Sequence, residues 1–135
     1  PEVLPDLIKK IEEGYDVVTA SRYLDSAKSL DDDPVTAFGN WLFTKSFNIL
    51  FQQNVTDYLV MYRAFKASII DQLNVKHESI SWQSQLMCKA AKAGLKISEI
   101  PGDEPPRIGG ERKMNPIRNG IAELKMLINE FISKN

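Results

Sequence analysis

Cysteine and histidine are nearly absent from this chain of 135 residues: Cys88 and His77 each stand alone. A single thiol excludes a disulfide framework within one chain. One histidine with no Cys or His near it offers no zinc-ligand set. Long apolar runs are missing too; none approaches the roughly 20 residues needed to span a bilayer. No charged-then-apolar leader opens the sequence. Charge of one sign is lacking: 17 Lys and Arg against 18 Asp and Glu leave a formal net charge of -1. That balance excludes a generally polybasic nucleic-acid binder, though not a local basic patch. There is no initiator Met. The chain opens at Pro1, at what reads as a helix start, and is expected to be a piece of something longer. What is present is an ordinary globular composition, 43% hydrophobic and 26% charged, at a length that suits one domain over residues 1–135.

Val3, Leu4, Leu7, Ile8 and Ile11 fall at helical spacing, which predicts an amphipathic helix over about 2–13, stopped by Gly14. Residues 16–21 are short and rich in β-branched side chains, and read as a buried strand. A helix joined by Gly to a buried strand points to an α/β domain with helices on both faces of the sheet. Residues 24–35 are polar and read as a surface loop, in which Asp31, Asp32 and Asp33 form a solvated charge run rather than a metal site. From Thr36 to Gln53 the chain is apolar and aromatic, a helix either deeply packed or partly interfacial. A third strand is expected near 60–65, short helices near 66–73 and 80–93, and a strand at 95–100. Cys88 falls among apolar residues of the 80–93 helix as a core thiol. Pro116 suits the first turn of a last helix, whose apolar stripe is Ile117, Ile121, Leu124, Leu127, Ile128 and Phe131.

The segment Pro105-Pro106-Arg107-Ile108-Gly109-Gly110-Glu111-Arg112-Lys113-Met114 carries most of the chemistry. Two prolines stiffen its entry, and two adjacent glycines allow close backbone approach to a ligand. Arg107 and Arg112 offer forked donors for phosphate oxygens, and Lys113 a point charge. A phosphate or diphosphate site needs these parts; a solvated basic loop before a helix has the same composition. Arg22 ends the first strand, where open α/β sheets bind ligands, and is otherwise a surface arginine. Asp57, in Asn54-Val55-Thr56-Asp57-Tyr58, has the chemistry of a base, a holder of a hydroxyl, or a turn cap.

In order, the segments resemble the C-terminal half of a family 2 glycosyltransferase, nearest the dolichyl- or polyprenyl-phosphate sugar transferases. The Pro-Glu helix of 1–14 is similar to the one that follows the family's metal-binding Asp-x-Asp. Asp16-Val17-Val18-Thr19-Ala20-Ser21-Arg22-Tyr23 is similar to its strand ending in Ser/Thr-Arg-Tyr. Thr56-Asp57 with Met61-Tyr62-Arg63-Ala64-Phe65-Lys66 resembles its Asp…Gly-Phe-Arg segment. Glu99-Ile100-Pro101 leading to Arg107…Arg112-Lys113 resembles its Glu-(Val/Ile)-Pro strand and Arg-x-x-Gly-x-Ser-Lys loop. Arg112 stands where Ser is common, Leu59-Val60 replaces small residues, and Gln85 lies near a usual Glu.

The resemblance implies the C-terminal, acceptor-side part of a GT-A fold with a mixed sheet, the nucleotide-binding half missing. It implies an inverting transfer from a nucleotide-sugar donor to a polyprenyl or dolichyl phosphate at the cytoplasmic face of a membrane. Mg²⁺ or Mn²⁺ is implied for the full-length enzyme and no metal for this chain alone, which is expected to be inactive and able to form a homodimer. Arg22, Arg107, Arg112 and Lys113 would hold phosphates of donor or acceptor. Asp57 would position the acceptor or act as general base, and the aromatic helix would lie near the lipid. A same-fold enzyme with a hydroxyl acceptor, or a non-catalytic anion- or membrane-binding module, are the alternatives.

Overall fold

The computed structural model describes residues 2–76, 81–106, 108–110 and 115–133. Its elements run α1 (Leu4–Glu12), β1 (Val17–Ser21), α2 (Pro34–Phe51), β2 (Arg63–Phe65), α3 (Ser68–Leu73), α4 (Trp82–Lys92), β3 (Ile97–Pro101) and α5 (Pro116–Ile132). Among the described residues the strands form one mixed sheet in the order β2-β1-β3, with β2 antiparallel and β3 parallel to β1.

Alternation along β1 sends its side chains to two different cores. Val18 and Ala20 join Ile100 and Leu7 under α1 on one face. Val17 joins Phe47, Tyr58, Leu86, Met87 and Leu127 on the other, beneath α2, α4 and α5. The α/β architecture with helices on both faces is thus present. Cys88 is fully buried in the larger core, and burial pushes its thiol up to about 12, so it carries almost no thiolate at neutral pH.

Helix starts follow the local chemistry. Asp33 caps α2 by accepting from Thr36 N (2.8 Å), and Pro34 takes the first helical position. Asn115 caps α5 by accepting from Ile117 N and Arg118 N, with Pro116 next. Asp16 clamps the sheet at the start of β1: its carboxylate accepts from Lys66 Nζ (2.7 Å) and Lys96 N (2.9 Å).

Strand β2 is shorter than the span 60–65 expected for it. Side chains take the backbone groups ahead of it: Val60 N donates to Asp57 Oδ1, and the Val60 carbonyl accepts from Arg63. A second difference concerns the helix faces. Helix α5 buries Leu127 but exposes Ile117, Ile121, Leu124, Ile128 and Phe131, while its buried positions include Glu123 and Glu130. Helix α2 buries Phe47 and Phe51 and exposes Val35, Phe38, Trp41 and Ile49.

Gly102 sits where β3 leaves the sheet, its N–H donating to the Ser21 carbonyl (2.9 Å). A Cβ there would lie 2.7 Å from the Ala20 Cβ and 3.2 Å from the Ala20 carbonyl carbon. Neither neighbour has a flexible end to yield. Gly102→Ala is therefore expected to cost about 1–3 kcal/mol, the scale of overpacking, and a lowered thermal melting point checks it.

Candidate functional site

A cleft of about 1090 Å³ opens at the carboxyl ends of the parallel strands β1 and β3. Open α/β sheets place ligands at such ends. Its walls come from the exits of β1 and β3, the first half of α2, the loop entering β2, the first turn of α4 and the first two turns of α5. A smaller hollow of about 310 Å³ beside Phe51 and Phe131 is lined by none of the candidate site residues Arg22, Asp57, Arg107, Arg112 and Lys113.

Arg22 forms part of the cleft wall and is gripped by Asp57, 35 positions away in sequence. Nε donates to Oδ2 at 2.7 Å and Nη2 to Oδ1 at 2.9 Å, a two-point guanidinium–carboxylate pair. Arg22 N also donates to Oδ2 (3.2 Å), and Val60 N donates to Oδ1 (3.2 Å). Asp57 is fully buried, and each of its oxygens accepts two hydrogen bonds. Its carboxylate thus has no lone pair open to a substrate proton, and its visible work is to orient Arg22.

Glu99 and Ser21 place Asp57. The Glu99 carboxylate accepts from Thr56 N (2.8 Å), Thr56 Oγ1 (2.9 Å) and Asp57 N (3.1 Å). Ser21 Oγ and Thr56 Oγ1 share a hydrogen bond. The end of β1, the 56–57 turn and the middle of β3 are therefore tied into one rigid unit.

The third corner of the guanidinium, Nη1, faces Glu104 at 3.2 Å and Asp32 at 3.8 Å. Burial disfavours the Arg22 charge, but the hydrogen bonds and charge of Asp57 outweigh it and raise the guanidinium above its ordinary value. Asp32 is not a solvated loop charge as the sequence suggested. Its side chain is 6% exposed, and it accepts from Tyr23 Oη and from Asn40 Nδ2 (3.0 Å). Burial, then the hydrogen bond to Asp32, pushes the Tyr23 hydroxyl up to about 12. Glu104 is 37% exposed and is held by Ser29 Oγ at 2.6 Å, so of the three carboxylates around Arg22 it is the one able to swing away.

The structure thus brings Arg22 and Asp57 together. Arg107, Arg112 and Lys113 lie outside the described residues. Pro105 and Pro116, which stand on either side of that segment in the sequence, both line the cleft. Sequence reasoning missed Glu104, Glu99 and Asp32. Glu99 had a signal, since it stands in the Glu-Ile-Pro segment that carried the resemblance; Glu104 had none.

Among the described residues no group of three or more carboxylate, imidazole or thiol side chains converges to hold a metal. Asp32 is committed to Tyr23, Asn40 and Arg22, and Asp57 to Arg22 and two backbone amides. This donor set does not fit a resident Mg²⁺ or Mn²⁺.

No family model matches the chain. Two curated proteins of Haloferax volcanii are similar to it. One is a dolichyl-phosphate hexose transferase, 27% identical over 127 residues, which is 94% of this chain and 54% of that protein. The other is glycosyltransferase AglJ, 25% identical over 115 residues, or 84% of this chain and 38% of that protein. The chain therefore spans about half the length of the first and less of the second. The resemblance to glycosyltransferases that the order of the motifs carries extends, by direct comparison with these two proteins, over most of the chain.

Proposed function

We propose that this chain is the acceptor-side part of an inverting GT-A glycosyltransferase that moves a sugar from a nucleotide-sugar donor to a polyprenyl or dolichyl phosphate. The observation that carries the proposal is an arginine, Arg22, set at a cleft wall beside exposed apolar helices. Arg22 lies on the wall of a cleft whose rim holds Val35 and Phe38 of α2 and Ile117 of α5. An ion site beside an apolar surface suits a phosphate on a hydrocarbon chain.

In this reading the acceptor phosphate approaches Arg22 Nη1 as Glu104 swings aside, and the basic segment of the sequence supplies Arg107, Arg112 and Lys113 as further phosphate contacts. A phosphate oxygen forms the new bond at the anomeric carbon while the bond to the nucleoside diphosphate breaks, with inversion. The diphosphate leaves with the electron pair. The acceptor is already an anion and needs no base, which agrees with an Asp57 whose oxygens are all engaged. A hydroxyl acceptor would ask Asp57 for a proton-accepting lone pair it does not have free. Divalent metal and donor contacts fall, in this proposal, outside the described residues, and the cytoplasmic membrane face is the proposed place of action.

Co-sedimentation with phosphatidylcholine vesicles, with and without polyprenyl phosphate, tests the acceptor site. Binding is expected to require the phosphate lipid and to weaken with salt. Arg107→Ala with Lys113→Ala should reduce it by at least about tenfold, the scale of losing charge-assisted hydrogen bonds. In the full-length enzyme, Arg107→Ala should cut turnover by at least about a hundredfold, as for losing a transition-state charge stabiliser. Equal binding to vesicles lacking the phosphate lipid would sink the reading. Phosphate-dependent binding with no transfer by the full-length protein would leave the non-catalytic module.

A further inference from the structure

Helix α5 leaves outside the fold a seam whose spacing is that of a helix pair. Ile117, Ile121, Leu124, Ile128 and Phe131 recur at alternating steps of four and three residues. That is the strict a/d repeat, the narrow seam by which one helix meets another. All five side chains are open, at 42% to 75% exposure. The order of the steps fixes the register. Ile121 and Ile128 take position a, and Ile117, Leu124 and Phe131 take position d. Isoleucine at both a positions with leucine at the central d favours two parallel helices over other assemblies.

The flanks of the seam agree with that arrangement. Arg118 and Lys125, both exposed, follow the d residues Ile117 and Leu124 on one flank. Gly120 and Leu127 stand on the other. In a parallel pair each flank meets the opposite flank of its partner, so the cations face glycine and leucine. In an antiparallel pair like flanks meet, and the cations of the two copies would face one another. The acidic residues of α5, Glu123 and Glu130, are buried on its inner face, so they cannot relieve that repulsion across the seam.

The size of the face also suits a second copy. With Ile132 beside the seam, six partly open apolar side chains present on the order of 600 Å². A typical monomer leaves open at most a patch of about 300–600 Å², and each partner in a standard interface gives about 800 Å². The helix is already formed and packed on its own domain, so pairing does not have to order it.

We propose that α5 is a dimerisation helix, and that a second copy of this chain lies along it in parallel about a two-fold axis. Each copy then gives the same patch, as such an axis requires. Pro116 and Ile117, at the start of α5, line the large cleft, so the two clefts open at the same end of the pair. The pairing rests on the seam alone and stands whether or not the cleft takes a lipid phosphate.

Sedimentation velocity of the 135-residue chain tests the proposal. As concentration rises, the 15.3 kDa monomer should give way to a species of twice that mass, with a dissociation constant on the order of 10 μM. Ile121→Ser with Ile128→Ser should weaken the dimer by at least about a hundredfold. The melting point of the dilute monomer should stay as it was, because both positions are on the surface. Under mild oxidation Ile128→Cys should cross-link to its twin, since only parallel pairing sets the two positions side by side. Ala122→Cys, exposed but off the seam, should not. Cys88 is buried and stays out of the reaction. A chain that is monomeric at every concentration, a dimer indifferent to the double serine substitution, or cross-linking at 122 but not at 128 overturns the proposal. So does a monomer that sediments with phosphatidylglycerol vesicles through Ile121 and Ile128, which gives the seam to lipid. A full-length protein that stays monomeric where the 135-residue chain pairs gives the seam to the rest of that protein, and overturns it equally.

Discussion

Asp57→Ala is expected to lower folding stability by about 3–5 kcal/mol, the scale of breaking a buried ion pair by removing one partner. A domain of this kind is typically stable by only about 5–15 kcal/mol, so the loss is a large fraction of the total. The reason lies in the contacts. Removing the carboxylate takes the two-point partner from the mostly buried Arg22 guanidinium, leaves Nε and Nη2 unpaired with only Glu104 and Asp32 facing Nη1, and deprives the Arg22 and Val60 amides of their acceptor. Asp57→Asn keeps the shape and one acceptor oxygen but turns an amide toward a cation, so its cost should be intermediate. Arg22→Met with Asp57→Leu removes both charges and should recover part of the loss, the orphaned amides accounting for the rest. Urea unfolding should rank the midpoints wild type, Asp57→Asn, Asp57→Ala, with unchanged slopes. A surface base dispensable for folding would give three coincident curves.

Elements were legible in the sequence where a regular period met a clear stop. The helix stopped by Gly14, the strand running up to Arg22 and the helix begun by Pro116 all follow from local chemistry, whereas the aromatic helix read from Thr36 starts two residues earlier, at Pro34. The strand order was not legible, because β2 turns back on β1 through a loop fixed by side-chain grips on its backbone. The 56–57 turn owes its place to Glu99, more than 40 positions on, and a pattern of neighbours carries no trace of that pairing. The same limit hid the fate of Asp31-Asp32-Asp33. A run of three like charges reads as solvated, but Tyr23 and Asn40 reach Asp32 across the loop and give it hydrogen bonds that make burial tolerable.

Helix α5 shows where periodicity misleads in a different way. Its apolar stripe is regular, and such a stripe normally marks the face turned to the chain's own core. Here the core takes Met126 and Leu127, and Glu130 is admitted because Gln85 meets it. Most of the stripe is left outside. Period and face are separate pieces of information: the sequence carries the first, and the second depends on what else packs against the helix. Part of the candidate site was legible for a similar reason. Arg22 could be placed at a strand end by the Gly14–Arg22 pattern alone, whereas its partners Asp57 and Glu104 come from distant segments.

Phe38→Ser with Trp41→Ser is expected to weaken vesicle binding by roughly thirty- to a hundredfold, while leaving the fold nearly as stable as before. The two rings are stacked at 5.9 Å on the outer face of α2, at 61% and 55% exposure. Substitution of such exposed residues typically changes folding stability by about 0.5 kcal/mol or less. Fully burying a large apolar side chain is worth about 1.5–3 kcal/mol. Rings that are only half open to begin with should yield about 1 kcal/mol or a little more each when lipid covers them, and the two together give the stated factor. Position adds to the argument: Phe38 also lines the cleft that holds Arg22, so a hydrocarbon chain lying over these rings would carry its phosphate toward that arginine. Co-sedimentation with vesicles containing polyprenyl phosphate measures the change, and light scattering of the same two proteins distinguishes lipid from a second copy of the chain as the occupant. If the double substitution dissolves a dimer without altering vesicle binding, this face of α2 pairs with itself and the lipid must enter along α5, past Ile117 and Ile121.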